Sequence, residues 1–318
     1  MPSLFRSSVL ALWAAMSAAV AVAQPSQIVV FGDSLSDTGE ATERFATIGV
    51  TLPVAPYAPG RFTNGAVAVE VMASTLGVAL DSRAVGGALT GTTNRITTGG
   101  VLTGTGVQSQ ISTYITEQAG ALDAEALYVV WAGGNDFFQS PSAATVQYAV
   151  TNLVQDVTLL YQAGARQFLV PNLPNMAHTY DSIKAGGAIQ AAAQSLTIGF
   201  NANLASFMGG LQGQLTGSTI QVFDVFSLLS GYRSQLAATP NSVVDTPCLI
   251  GSYTAGGTAC ENPASHYLWD SVHPTANVHA FVGQAMAAAV PEPSTYALMG
   301  LGLVGIAAVA RRRAPATV

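Results

Sequence analysis

Charge is scarce in this chain. Only 9% of its 318 residues are Asp, Glu, Lys or Arg, and lysine occurs once, as Lys184. No run of basic residues precedes position 311, and the overall balance is acidic, which excludes the basic stripe that nucleic-acid binding needs. Cysteine occurs twice, as Cys248 and Cys260, with no C-x-x-C and no histidine pair at ligand spacing beside them, so no metal motif is expected. No repeat of solenoid period is visible. What the chain has in abundance is apolar residues, at 49%, and 32 glycines, with ample length to bury a core.

Both ends carry sorting chemistry. Arg6, a following apolar run and the small residues Ala21-Val22-Ala23 make a signal peptide of residues 1–23. At the other end, Val290-Pro291-Glu292-Pro293-Ser294 precedes a fifteen-residue apolar stretch, 296–310, and then Arg311, Arg312 and Arg313. That stretch is short for a bilayer span of about 20 residues, and the arginines fit a stop at the cytoplasmic face. The segment 291–313 resembles the PEP-CTERM sorting signal of Gram-negative bacteria. The resemblance implies an exosortase-type processing enzyme, transient membrane contact through the C-terminal segment, and delivery to the cell surface or extracellular matrix after tail removal. Residues 24–290 are then the working domain and 314–318 a tail. Without both ends the net charge is about −9, from seven basic and sixteen acidic side chains. In an exported domain Cys248 and Cys260 are expected to form a disulfide.

Along the domain, strand-like runs at 27–31, 79–85, 126–131, 167–170 and 219–223 alternate with helix-like ones. The strands are short, rich in β-branched and aromatic residues, and read as buried on both faces. Helices are expected after Asn64 as a cap (to Gly77), over 107–118, over 142–163, over 185–215 with a break near Gly209-Gly210, and over 275–289. This alternation predicts a parallel sheet covered on both faces by helices. Segments 36–63, 89–106 and 232–269 do not fit the alternation. They are long enough to rim a site at the carboxyl edge of the sheet.

Three stretches follow strands towards such an edge, Gly32-Asp33-Ser34-Leu35-Ser36, Ala84-Val85-Gly86-Gly87-Ala88 and Trp131-Ala132-Gly133-Gly134-Asn135-Asp136, and a fourth, Asp270-Ser271-Val272-His273-Pro274, lies just before the last helix and can join them. Singly, each has an ordinary explanation as a cap or a turn. Together they supply a serine nucleophile, a histidine base, an orienting carboxylate and donors for an oxyanion, the parts acyl transfer requires. The serine does not sit in the elbow of α/β-hydrolases, which has glycine two residues after the nucleophile where this chain has Ser36.

In this order the four stretches resemble the blocks of GDSL esterases and lipases of the SGNH hydrolase superfamily, and the likeness runs over residues 28–290. It implies a three-layer α/β/α sandwich with a five-stranded, flavodoxin-like parallel sheet. It also implies a catalytic set of Ser34, Asp270 and His273. The oxyanion hole it implies is built from Ser34, Asn135 and Gly87, with Gly86 as the alternative and Asp33 as a supporting residue. One departure concerns the second block, which often has an asparagine a few residues before its glycines. Here Asp81-Ser82-Arg83 occupy that place. The activity implied is hydrolysis of an acyl ester, lipid or acetylated glycan without a cofactor. Deacetylation of surface polysaccharide and acyl transfer would use the same site, and a non-catalytic matrix protein would be expected to lack one of its groups. A metal site from Asp33, Asp37 and Asp136 has no ordered ligand spacing behind it. His178 and His266 are expected to border the pocket, and His279 to be structural.

Overall fold

The computed structural model describes residues 24–290. The segment expected to be a signal peptide, and the sorting segment with its apolar stretch, lie outside the described residues.

Five short strands form one parallel sheet: β1 (Gln27–Gly32), β2 (Ala79–Ser82), β3 (Leu127–Trp131), β4 (Gln167–Pro171) and β5 (Thr219–Phe223). Their spatial order is β2-β1-β3-β4-β5, every neighbouring pair parallel. The reversal of direction from β1 to β2 on one side and β3 on the other makes the carboxyl end of β1 a topological switch point, where such sheets bind ligands. β1 and β3 are buried on both faces. The edge strands β2 and β5 are only partly covered, contrary to the expectation that every strand is doubly buried, because each has a neighbour on one side alone.

One face of the sheet presents Val29, Phe31, Tyr128, Val130, Phe168 and Val170 to a core completed by α3 (Val107–Glu117), α5 (Ala143–Gln162) and α7 (Gly187–Gln212). On the other face α2 (Ala68–Leu76) packs against α9 (Ala276–Ala289). Their approach is so close that a Cβ on Gly283 would lie 2.3 Å from the Ala68 carbonyl oxygen. Burial of large apolar side chains on both faces, at about 1.5–3 kcal/mol each, is the main stabilising term.

Several boundaries differ from expectation, each for a local reason. Asn64 does not cap α2. Its Oδ1 accepts from the Ala276 N–H at the start of α9 (2.8 Å), while Glu70 and His279 take the Val67 and Ala68 N–H groups. The helix expected over 185–215 runs without the break at Gly209-Gly210 as α7, and Gly186, whose φ of 75° is left-handed, separates it from α6 (Tyr180–Ala185), which was not expected. Inside the segments set aside as irregular lie α1 (Glu40–Ala46) and a disulfide-closed hairpin, β6 (Leu249–Ser252) and β7 (Gly256–Ala259). Two further helices were not expected: α4 (Gly134–Gln139) and α8 (Val225–Ala237), the latter capped by Asp224. Among the described residues no helix is long and apolar enough to cross a membrane.

Candidate active site

At the end of β1, Gly32 lies tight against Trp131 of β3. A Cβ on Gly32 would stand 2.4 Å from the Trp131 carbonyl oxygen, so this position has no room for a side chain. The Gln110 carboxamide, reaching from α3, pairs with both the N–H and the carbonyl of Gly32. The chain then turns: Asp33 accepts from the Leu35 N–H through its side chain and from the Ser36 N–H through its carbonyl. Ser34 occupies the apex of this turn, with its hydroxyl facing the loop that precedes α9.

That loop is equally determined. Asp270 Oδ1 accepts from the Val272 and His273 N–H groups at 2.9 and 2.7 Å, which closes Asp-x-x-His into a compact turn. Asp270 Oδ2 accepts from His273 Nδ1 at 2.8 Å and from the Tyr57 hydroxyl at 2.7 Å. His273 Nε2 lies 2.8 Å from Ser34 Oγ. With Nδ1–H donated to the carboxylate, Nε2 is left as an acceptor for the serine proton. Burial acts to raise the Asp270 carboxyl, but the facing imidazole and the hydrogen bonds it receives outweigh burial and hold it below the ordinary range.

The two glycines are not equivalent. The Gly86 N–H is taken by Asp37 Oδ2 at 2.7 Å, and a Cβ on Gly86 would meet the Phe62 ring. Gly87 has φ 81° and lines the same cavity as Ser34, and no acceptor within the described residues takes its N–H. The Ser34 N–H is likewise unengaged. Asn135, buried at the start of α4, donates from Nδ2 to the Ala88 carbonyl at 3.2 Å and borders the cavity. Thus Ser34, His273, Asp270, Gly87 and Asn135 come together, while the Gly86 N–H is committed to Asp37 and the Asp33 carboxylate to its own turn.

Three carboxylates behind this site are unusual. Burial pushes Asp33 and Asp136 up to about 6 and Asp37 up to about 7, despite the N–H groups that each accepts. They do not gather as a ligand set: Asp37 closes the turn before α1 and grips Gly86, and Asp136 binds Thr90. Among the described residues the one three-ligand cluster is Cys248, Cys260 and His266, whose cysteines are joined to each other. His178 lines the cavity and burial pushes it down to about 4. His279, held at about 3 by burial, caps α2.

The cavity encloses about 470 Å³, with Leu173, Met176, Leu229 and Val282 supplying apolar wall. Sequence reasoning missed Tyr57 and Arg95. Tyr57 lay in a proline-rich stretch with no periodicity and Arg95 in a Thr/Gly-rich run, and neither setting distinguishes a site residue from a loop residue. Arg95 borders the cavity, with Nη1 3.4 Å from Asn135 Oδ1 and its guanidinium over the Phe138 ring.

The profile for GDSL-like lipase/acylhydrolase matches residues 28–286, and that for the PEP-CTERM protein-sorting motif matches residues 289–313. The chain is 25% identical to a GDSL esterase/lipase of Arabidopsis thaliana over 309 residues, covering 78% of this chain and 84% of the relative. An uncharacterised Pseudomonas putida protein from the trpE-trpG intergenic region is 29% identical over 282 residues, covering 82% of this chain; the chain spans 46% of that protein's length. Among solved structures, a member of the lipolytic G-D-S-L family from Veillonella parvula aligns with a TM-score of 0.46 at 13% identity, covering 83% of this chain and 97% of the other. With the family profile matched over almost all of the described domain, the chain belongs to the GDSL-like lipase/acylhydrolase family and carries a PEP-CTERM sorting motif.

Proposed function

We propose that this protein is an exported serine esterase that hydrolyses carboxylic esters through an acyl-enzyme on Ser34. The observation that carries the reading is the continuous chain from Asp270 through His273 to Ser34, with both links at 2.8 Å, opening on a cavity that also contains Gly87 and Asn135. In the first half-reaction His273 Nε2 takes the Ser34 hydroxyl proton while Oγ bonds to the ester carbonyl carbon. The carbonyl oxygen becomes an oxyanion, which accepts hydrogen bonds from the Ser34 and Gly87 N–H groups and the Asn135 carboxamide. As the intermediate collapses, the bond to the leaving alcohol breaks and His273 returns its proton to that oxygen. Water then repeats the sequence against the acyl-enzyme, releasing the carboxylic acid and restoring Ser34. Asp270 stays ionised throughout and stabilises the imidazolium formed in each half. Asp33 supports the turn that holds Ser34.

The apolar wall suits short- or medium-chain acyl groups, and the PEP-CTERM motif directs the enzyme to the cell surface or matrix with removal of the tail by an exosortase. The test is a panel of p-nitrophenyl esters from acetate to palmitate together with acetylated polysaccharide, with Ser34→Ala as control. Ester cleavage that disappears in the control supports the reading, and the preferred arm names the acyl class. Acyl transfer is read by adding an acceptor alcohol. A wild-type chain inert on every arm, or an active control, overturns it.

A further inference from the structure

A Gly-Gly peptide beside a nucleophile is a hazard as well as an opportunity. Glycine tolerates φ of either sign, so the peptide between Gly86 and Gly87 can rotate by changing only the ψ of one glycine and the φ of the next, with no side chain to oppose it. In a trans peptide the carbonyl and the N–H point in opposite directions. Rotation would therefore replace the Gly87 donor by the Gly86 carbonyl, and repulsion would stand where an oxyanion needs stabilisation.

The loop that follows removes this freedom. It doubles back on itself as a small hairpin: Ala88 and Asn94 form an antiparallel bridge, the Leu89 N–H donates to Thr93, and the Arg95 N–H donates to the Gly87 carbonyl at 2.9 Å. This brings the Asn94 carboxamide beside the Gly-Gly peptide, where Nδ2 donates to the Gly86 carbonyl at 2.9 Å. The amide cannot turn over, because its other N–H donates to Thr105 Oγ1 at 3.0 Å and its Oδ1 accepts from the Ile96 N–H at 2.7 Å. A Cβ on Gly87 would lie 2.6 Å from Asn94 Oδ1, so glycine at this position is what admits the carboxamide. At its tip the same hairpin is moored to the second donor loop. Asp136, next to Asn135, accepts from the Thr90 N–H at 3.1 Å and from its hydroxyl at 2.8 Å, and Asn152 Nδ2 donates to that hydroxyl.

We propose that Asn94 is the positioning residue of the oxyanion site, latching the Gly86 carbonyl so that the Gly87 N–H stays turned into the cavity. The asparagine missing ahead of the glycines is thus matched by one that approaches from behind them, seven residues later. The inference rests on the esterase reading and concerns the pre-organisation of one donor. Asn94 touches no substrate; it acts through Gly87.

The test compares Asn94→Ala and Asn94→Asp with wild type for kcat, KM, melting temperature and affinity for an alkyl boronate that forms a tetrahedral adduct on serine. Asn94→Asp retains an acceptor for the Ile96 N–H but sets a carboxylate oxygen against the Gly86 carbonyl. Since removal of an oxyanion donor costs about 10²–10³ in kcat, partial loss of its orientation is expected to cost about 10- to 100-fold. KM should stay within about threefold and the boronate affinity should fall with kcat/KM, because the latch acts on the transition state. Wild-type kcat in either folded variant overturns the proposal. So does a loss in which KM rises as far as kcat falls and both variants melt early, which marks a loop that merely holds the fold. An active Ser34→Ala enzyme is a separate result, and removes the esterase reading rather than the latch alone.

Discussion

Four donors converge on the Asp270 carboxylate, and the one from farthest away in sequence is the Tyr57 hydroxyl. Two of these bonds shape the loop and a third orients His273, so Tyr57 is the one whose removal leaves the loop intact. Losing a hydrogen bond to a charged acceptor is worth about 1.5 kcal/mol, or about tenfold in rate. Tyr57→Phe is therefore expected to lower kcat about tenfold, while a phenyl ring preserves the edge-on contact with Trp269; steady-state kinetics beside a melting curve check both halves. Asn135 faces a larger demand. Asn135→Ala should retain the wild-type melting temperature within a few degrees and lose about 10²–10³ in kcat, and wild-type turnover would remove the carboxamide from the oxyanion site.

Among the elements, helix α5 carries an anomaly. Asp156 is fully buried on its core face, and neither carboxyl oxygen has a hydrogen-bond partner among the described residues. Burial, with a smaller contribution from Asp136, raises its carboxyl well above the ordinary range. A group whose folded pKa lies above its unfolded one contributes stability that is fully present below the unfolded value and is lost as pH rises through the folded value. Asp156→Asn is thus expected to melt near wild type at pH 4 and later than wild type at pH 8. Thermal melts at the two pH values check it, and an equal shift at both contradicts it. The disulfide hairpin is the second element with a clear consequence. It hydrogen-bonds through Cys248 and Leu249 to Leu268 and Trp269, immediately before Asp270, and Tyr253 packs on Phe62, which lies against the His273 ring. Closing a loop of this size is worth about 3 kcal/mol in the chain-entropy account. Replacing both cysteines by serine should lower the melting temperature and also kcat, because the hairpin braces the Asp270–His273 loop; turnover unchanged in the folded double variant would contradict the second part.

How far these elements were legible follows from their local signals. Four of the strands are mainly apolar runs ended by glycine or polar residues, with β2 (Ala-Leu-Asp-Ser) half polar, and the nucleophile and oxyanion stretches follow strands while the Asp-His stretch precedes the last helix, so sheet and site are visible together. Helices α1, α4, α6 and α8 were not, since each is short or begins inside a stretch with turn chemistry, and tertiary contacts decide its state. Asn64 shows why a local signal misleads: it is a good cap in the right place, yet its carboxamide serves a helix more than two hundred residues away. Asn94 shows the reverse, a working side chain in a stretch whose composition signals only a loop.

Over the whole molecule, the sheet order places β1 between β2 and β3, so the loops after all three strands meet at one carboxyl edge. α9 delivers the Asp270–His273 loop to that edge from the far end of the chain, and Asn64 and Thr63 bind its first turn from the Ala276 N–H and the Pro274 carbonyl. The candidate site and the packing of the last helix are in this way joined over more than two hundred residues of sequence. The PEP-CTERM motif begins where α9 ends. Processing by an exosortase is then expected to release a domain that retains every group of the site, with a C-terminus shortly after residue 289; intact-mass measurement of the surface-released protein checks this, and a mass including the arginine cluster contradicts it.

The most direct measurement of the central claim is covalent. The enzyme is quenched during turnover of a p-nitrophenyl ester, or titrated with a fluorophosphonate, and the modified peptide is located by mass spectrometry. The account predicts a single adduct on Ser34, formed in step with loss of activity and absent from an inactive Ser34→Ala enzyme. An adduct on another residue, or full ester hydrolysis by Ser34→Ala, would contradict it.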